Sequence, residues 1–200
     1  MIRGLIFDLD GTLVDSGLDF ERMRLEMGLP SQQPILESLD RLAEPRRSEC
    51  WTILERHEQA GAERATLMPG VTELLQELAR RNLRRAIFTR NGRRHTLHTL
   101  ARLGLTFDTV VAREDAPPKP DPTGIWQICE SWRVSPGEVA MVGDYLFDIE
   151  AGRRAGARTV CYAGRRNCAE IETWGAGLAV ACFSRPQELL AWLEQPGEPT

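Results

Sequence analysis

The stretch Gly4-Leu5-Ile6-Phe7-Asp8-Leu9-Asp10-Gly11-Thr12-Leu13 decides how the rest of the chain is read. Gly4 to Phe7 form a short run without charge, as a buried strand does, and Gly11 marks the turn that follows. In a doubly wound sheet, ligands bind beyond the carboxyl ends of the strands, so Asp8 and Asp10 would both point into that crevice. A plain turn with a helix cap accounts for Gly11 and one Asp. It does not account for two.

Outward from this stretch, short runs rich in β-branched residues alternate with helical patterns. Strands are expected at Gly4–Asp8, Arg85–Thr89, Thr109–Ala112, Val139–Gly143, Thr159–Tyr162 and Leu178–Cys182. Helices are expected at Val71–Asn82, Arg94–Leu103, Pro122–Trp132, Phe147–Ala155 and Pro186–Glu194. Val71, Leu74, Leu75 and Leu78 show the spacing of a one-sided helix. The alternation predicts an α/β fold: a doubly wound, mostly parallel, Rossmann-like sheet covered on both faces. Between Asp15 and Pro69 no convincing strand appears. That segment reads as helical pieces, about Leu18–Met27, Pro34–Ala43 and Arg46–Ala60, interrupted at Gly28-Leu29-Pro30 and Glu44-Pro45. The expected organisation is a core of residues 1–14 and 70–200 with a small all-helical insert, 15–69.

Other strand ends carry complementary chemistry. Thr89 ends one strand, Asp144 follows Val139–Gly143, and Asp148 lies four residues on, near the start of the next helix. Lys119 follows Thr109–Ala112 by a loop, in Pro118-Lys119-Pro120-Asp121-Pro122. Of 25 basic residues it is the single Lys. Were Lys and Arg interchangeable, it would fall on any one basic position with odds of about 1 in 25. A position that keeps Lys in an Arg-rich chain fits a need for a compact point charge in a tight space. Groups from separate strand ends, converging on one crevice, are what a catalytic site requires.

With 200 residues, 42% hydrophobic and 27% charged, the chain suits one globular domain with a sizeable core. The net charge of -4, with both signs interspersed, does not suggest nucleic acid as a partner. Six Arg pairs (46–47, 80–81, 84–85, 93–94, 153–154, 165–166) read as solvated faces. The apolar run before Asp8 is too short for a signal peptide, and no stretch is long enough to span a membrane. Five cysteines, an odd number without CxxC spacing, fit a cytoplasmic, reducing location. Cys129, Cys161 and Cys182 read as small core residues. His57, His95 and His98 lack metal-ligand spacing, and His95 and His98 read as solvent-facing or capping. The tryptophans read as core-edge fillers. Arg90-Asn91 sits at the crevice rim as a candidate substrate contact; Asp15 and Arg46-Arg47 are weaker candidates for a substrate's polar end.

Taken together, Asp8-x-Asp10-Gly11-Thr12, Thr89, Lys119-Pro120 and Gly143-Asp144-x-x-x-Asp148 resemble the four ordered motifs of the haloacid dehalogenase-like hydrolase superfamily. The resemblance covers essentially the whole chain, and the insert resembles the helical cap of its phosphoglycolate phosphatase-like branch. It implies a phosphatase acting on a small phosphorylated metabolite. Asp8 would be the nucleophile that forms an aspartyl-phosphate, and Asp10 the general acid and base. Asp8, the Asp10 carbonyl and Asp144 would hold Mg²⁺, with Asp148 binding through water or anchoring Lys119. Lys119 would balance charge on Asp8 and the phosphoryl oxygens, and the Thr89 hydroxyl with nearby backbone N–H groups would hold the phosphate. A phosphomutase would use the same core residues, and a non-catalytic phosphate-binding module is the reading from another class. A dehalogenase has no need of Asp10, and a phosphonate hydrolase of this family would need a lysine that segment 15–69 lacks. The assembly expected is a monomer or a homodimer.

Overall fold

The computed structural model describes residues 1–162, 181–183 and 185–194. Its main sheet comprises β1 (Gly4–Phe7), β4 (Arg84–Phe88), β5 (Thr109–Val111), β6 (Val139–Gly143), β7 (Arg158–Tyr162) and β8 (Ala181–Phe183), in the order β5-β4-β1-β6-β7-β8. Every pairing in it is parallel. Strands run to one side of β1 as far as β5, and β6 then restarts on the other side. That reversal beside β1 opens a crevice past the carboxyl ends of β1, β4 and β6.

The sequence explains why this sheet is buried twice over. All four residues of β1 and all five of β6 are buried, as parallel strands covered on both faces demand. Leu5 and Phe7 point to one face, among Val71, Leu74, Leu75 and Leu78 of α4 (Val71–Arg80), Leu100 of α5 (Arg93–Arg102) and Leu189 of α8 (Pro186–Glu194). Ile6 points to the other, among Ile125, Ile128 and Trp132 of α6 (Thr123–Trp132) and Ala151 of α7 (Leu146–Ala155). Three helices lie between β1 and α4: α1 (Phe20–Met27), α2 (Ile35–Asp40) and α3 (Arg46–Arg64). They hold a third apolar cluster of their own, centred on Met23, Met27, Leu39, Cys50 and Leu54. No helix among the described residues is long and apolar enough to cross a membrane.

Several expectations need correction. The segment 15–69 is not free of strand: β2 (Val14–Asp15) pairs antiparallel with β3 (Thr66–Leu67) where the chain leaves and re-enters the sheet region. Two-residue strands leave no periodicity to read. Helix α3 runs on to Arg64 rather than stopping near Ala60, and Gly61 within it sits in close packing, where a Cβ would meet Leu18 Cδ2 at 3.1 Å. His95 is buried, not solvent-facing, since α3 packs over α5. Cys129 and Cys161 are buried as expected, but Cys182 is only partly so. Trp132 lies in the core, whereas Trp126 is 47% exposed, its indole N–H donating to the Ala155 carbonyl. Arg46 and Arg84 are exposed, yet each also donates to a backbone carbonyl, of Met27 and Trp132 respectively. The last expected strand begins later, at Ala181; residues 178–180, Cys168, Trp174 and the pair 165–166 lie outside the described residues.

Candidate active site

The strands end one residue before the chemistry begins. β1 stops at Phe7, and the Asp8 N–H donates to the Val142 carbonyl at 2.9 Å, which clamps Asp8 beside β6. The chain then turns tightly, with Leu13 and Val14 N–H both on the Leu9 carbonyl. Gly11 makes that turn at φ +82°, and a Cβ on it would lie 2.5 Å from Asp144 Oδ2. β4 stops at Phe88, and the Thr89 N–H holds the Val111 carbonyl at 3.0 Å. β6 ends at Gly143, where a Cβ would meet Asp148 Cγ at 2.2 Å. Only a bare backbone lets Asp148 of α7 lie so close to the strand end. Asp148 also caps its own helix, its Oδ2 accepting from the Tyr145 N–H at 3.1 Å.

Lys119 enters from the loop between β5 and α6 and is 1% exposed. Its Nζ lies 2.6 Å from Asp8 Oδ1 and 2.6 Å from Asp148 Oδ1, and 5.4 Å from the centre of the Phe88 ring. Burial pulls the ammonium toward neutrality, but Asp148 and Asp8 outweigh it and raise its pKa, so it stays charged. Asp8, Asp144 and Asp148 bring carboxylate oxygens within 4.8 Å of one another. Three carboxylates against one ammonium leave two negative charges, and the donors are all hard oxygens. The residues fit a divalent cation of the Mg²⁺ or Ca²⁺ kind.

The Asp10 side chain is not one of the three. It turns toward Asn91, whose Nδ2 donates to Asp10 Oδ2, and toward the Ser16 hydroxyl. Burial, opposed by the Ser16 bond and reinforced by neighbouring Asp8, pushes its carboxyl up to about 6. Such an acid can both hold and give up a proton near neutral pH. Thr89 is buried, and its Oγ1 accepts from the Asn91 N–H at 3.2 Å. Arg90 donates through Nη1 to the Lys119 carbonyl and through Nη2 to Glu37 Oε2 at 2.7 Å, with its guanidinium 4.5 Å over the Phe147 ring.

All eight residues singled out at strand ends therefore line one cavity of about 920 Å³: Asp8, Asp10, Thr89, Arg90, Asn91, Lys119, Asp144 and Asp148. Asp15 lines it too. Arg46 and Arg47 do not take part as expected; they hold the Met27 and Leu42 carbonyls. Sequence reasoning missed Ser16, Arg24 and Glu58. Glu58 had a signal: it sits on the Cys50, Leu54, Ala62 stripe of α3, where an acid is out of place. It is 4% exposed and meets Arg113 Nη1 at 2.5 Å and the Gly92 N–H at 3.2 Å.

A family model described as haloacid dehalogenase-like hydrolase matches residues 18–162. A haloacid dehalogenase-like hydrolase domain-containing protein of Arabidopsis thaliana is 33% identical over 170 residues, 79% of this chain and 69% of its own. The chain belongs to the haloacid dehalogenase-like hydrolases. Within that family it is an enzyme of the phosphatase kind. The phosphoglycolate phosphatase of Chromobacterium violaceum is 29% identical over 94% of this chain and 96% of its own. A solved hydrolase from Pseudomonas syringae superposes with a TM-score of 0.77 at 26% identity, covering 98% of this chain and 99% of its own. A haloacid dehalogenase-like hydrolase from Streptococcus pneumoniae superposes with a TM-score of 0.76 at 24% identity, covering 96% of this chain and 99% of its own, so the fold is shared.

Proposed function

We propose that the protein is a Mg²⁺-dependent phosphatase that hydrolyses a small phosphorylated metabolite through an aspartyl-phosphate on Asp8, with the 15–69 helices as a cap over a core of 1–14 and 70–200, in the cytoplasm. The observation that carries this reading is Lys119 Nζ, 2.6 Å from both Asp8 and Asp148, with Asp144 completing the carboxylate group and Asp10 alongside.

In this reading an Asp8 carboxylate oxygen attacks phosphorus and the bond from phosphorus to the alcohol oxygen breaks. Asp10 gives its proton to the departing alkoxide. Asp10 then takes a proton from water, which attacks the acyl phosphate and releases inorganic phosphate and the Asp8 carboxylate. A carboxylate approaching a phosphate dianion meets repulsion of roughly 4 kcal/mol per charge pair at about 4 Å and an effective dielectric near 20. Lys119 offsets part of it, while Thr89 and the backbone N–H groups after β4 hold the phosphoryl oxygens. Asp8, Asp144 and Asp148, with the Asp10 carbonyl, would hold Mg²⁺, which supplies further positive charge at those oxygens.

The test is turnover of p-nitrophenyl phosphate with Mg²⁺, with Asp8→Asn, and with excess EDTA. Phosphate release is expected only in the first; equal rates in all three would end the mechanism. Release of free phosphate rather than an isomer from a hexose 1-phosphate separates it from a mutase.

A further inference from the structure

The cavity extends well past the phosphoryl site, and its about 920 Å³ stands near the top of the ~300–1,000 Å³ usual for small-molecule pockets. Building on the phosphatase reading above, we infer that the alcohol released is an uncharged sugar or polyol, carrying no second anionic group.

The cations decide this. Among the described residues, three basic side chains line the cavity: Arg24, Arg90 and Lys119. Each is already answered by an acid. Lys119 lies between Asp8 and Asp148. Arg90 is bound to Glu37 and to the Lys119 carbonyl, and its face is stacked on Phe147. Arg24 is 15% exposed; its Nη1 meets Glu21 Oε1 at 2.7 Å and its Nε meets the Gln33 carbonyl at 2.7 Å. A carboxylate on the substrate would have to displace Glu37 or Glu21 and leave that acid beside it, an arrangement that costs rather than stabilises. That sets the site apart from one made for phosphoglycolate, a two-carbon acid that would also fill little of this volume.

What lines the distal part suits hydroxyls and C–H faces instead. Asp15, Asp19 and Glu21 are among its lining residues, and a carboxylate oxygen with a lone pair to spare accepts from hydroxyl groups. Leu18, Ile35 and Leu54 form an apolar wall. Phe20 and Tyr145 stand at the rim 49% and 46% exposed, with the Tyr145 and Phe147 rings edge to face at 5.0 Å. Large aromatic surface left open beside a cavity is a place for a ligand to bury apolar area. A sugar ring offers both kinds of surface at once.

The test is kcat/KM on matched pairs: glucose 6-phosphate against 6-phosphogluconate and against glucosamine 6-phosphate, and glycerol 1-phosphate against phosphoglycolate. The uncharged member of each pair is expected to lead by roughly tenfold or more, the selectivity one unanswered charge confers. Glu37→Gln, which frees Arg90 from its acid, is expected to narrow the gap between glucose 6-phosphate and 6-phosphogluconate several-fold. Equal or better turnover of the acids, or a tenfold lead for the amine, would overturn the substrate class. Hydrolysis of p-nitrophenyl phosphate, and its loss in Asp8→Asn, reports on the phosphatase reading separately. A protein that cleaves neither p-nitrophenyl phosphate nor any member of the pairs would overturn both.

Discussion

Replacing Asn91 with Ala isolates what its side chain does for Asp10. Nδ2 donates to Asp10 Oδ2, while the backbone bonds of Asn91, to Thr89 Oγ1 and from the Arg113 N–H, survive the change. A hydrogen bond to a charged partner contributes about 1.5–3 kcal/mol. At about 1.4 kcal/mol per factor of ten, that is a loss of roughly 10- to 150-fold wherever the orientation of Asp10 matters. It matters when the leaving group needs a proton. An alkoxide does; p-nitrophenolate departs unaided. Because kcat/KM reports events up to departure of the alcohol, the variant should lose its full factor on an alkyl phosphate and less than about threefold on p-nitrophenyl phosphate. Single-turnover and steady-state assays of both substrates supply the comparison. Equal losses on the two would show that Asn91 holds the phosphate or the loop, not the acid, and the positioning argument would fall.

Lys119→Arg should cost about 10²–10³ in kcat, the loss expected when a preorganised charge is misplaced, because a planar fork cannot occupy a buried slot between Asp8, Asp148 and the Phe88 ring. Activity within threefold of the parent would contradict the case for a point charge. Gly143→Ala should destabilise the fold by about 1–3 kcal/mol in urea and weaken Mg²⁺ binding by calorimetry, since the added Cβ displaces the Asp148 carboxyl. Burial holds the His95 pKa below its ordinary 6.5. Its neutral form is therefore the one the fold accommodates, and its contribution is complete above about pH 6.5 and lost as pH falls below it. Compared with His95→Leu, the parent should lose stability steadily from pH 7 to pH 5 in thermal melts; a constant difference would show that His95 does not titrate in this way.

How much of this was legible in the sequence depended on how local each feature is. β1 and β6 could be read because a strand buried on both faces must be apolar throughout. Asp8, Thr89 and Asp144 could be placed because strand ends in such a sheet open onto one crevice. The β2–β3 ribbon could not, since a pairing of Val14 with Leu67 rests on where the insert leaves and returns. The clasps between insert and core were equally hidden. Glu37 with Arg90 and Glu58 with Arg113 join residues 53 and 55 positions apart, and neither partner advertises the other. His95 was misjudged because one face of α5 is covered by α3, a contact made by tertiary packing alone.

The solitary lysine has a practical consequence. An amine-directed acylating reagent finds a single ε-amino group in this polypeptide, and it is sealed behind two acids. Acylation there requires the salt bridges to open, so its rate clocks that opening. Turnover should vanish in step with each ε-amine modified, which turns mass spectrometry of one peptide into a gauge of how often the catalytic pocket breathes.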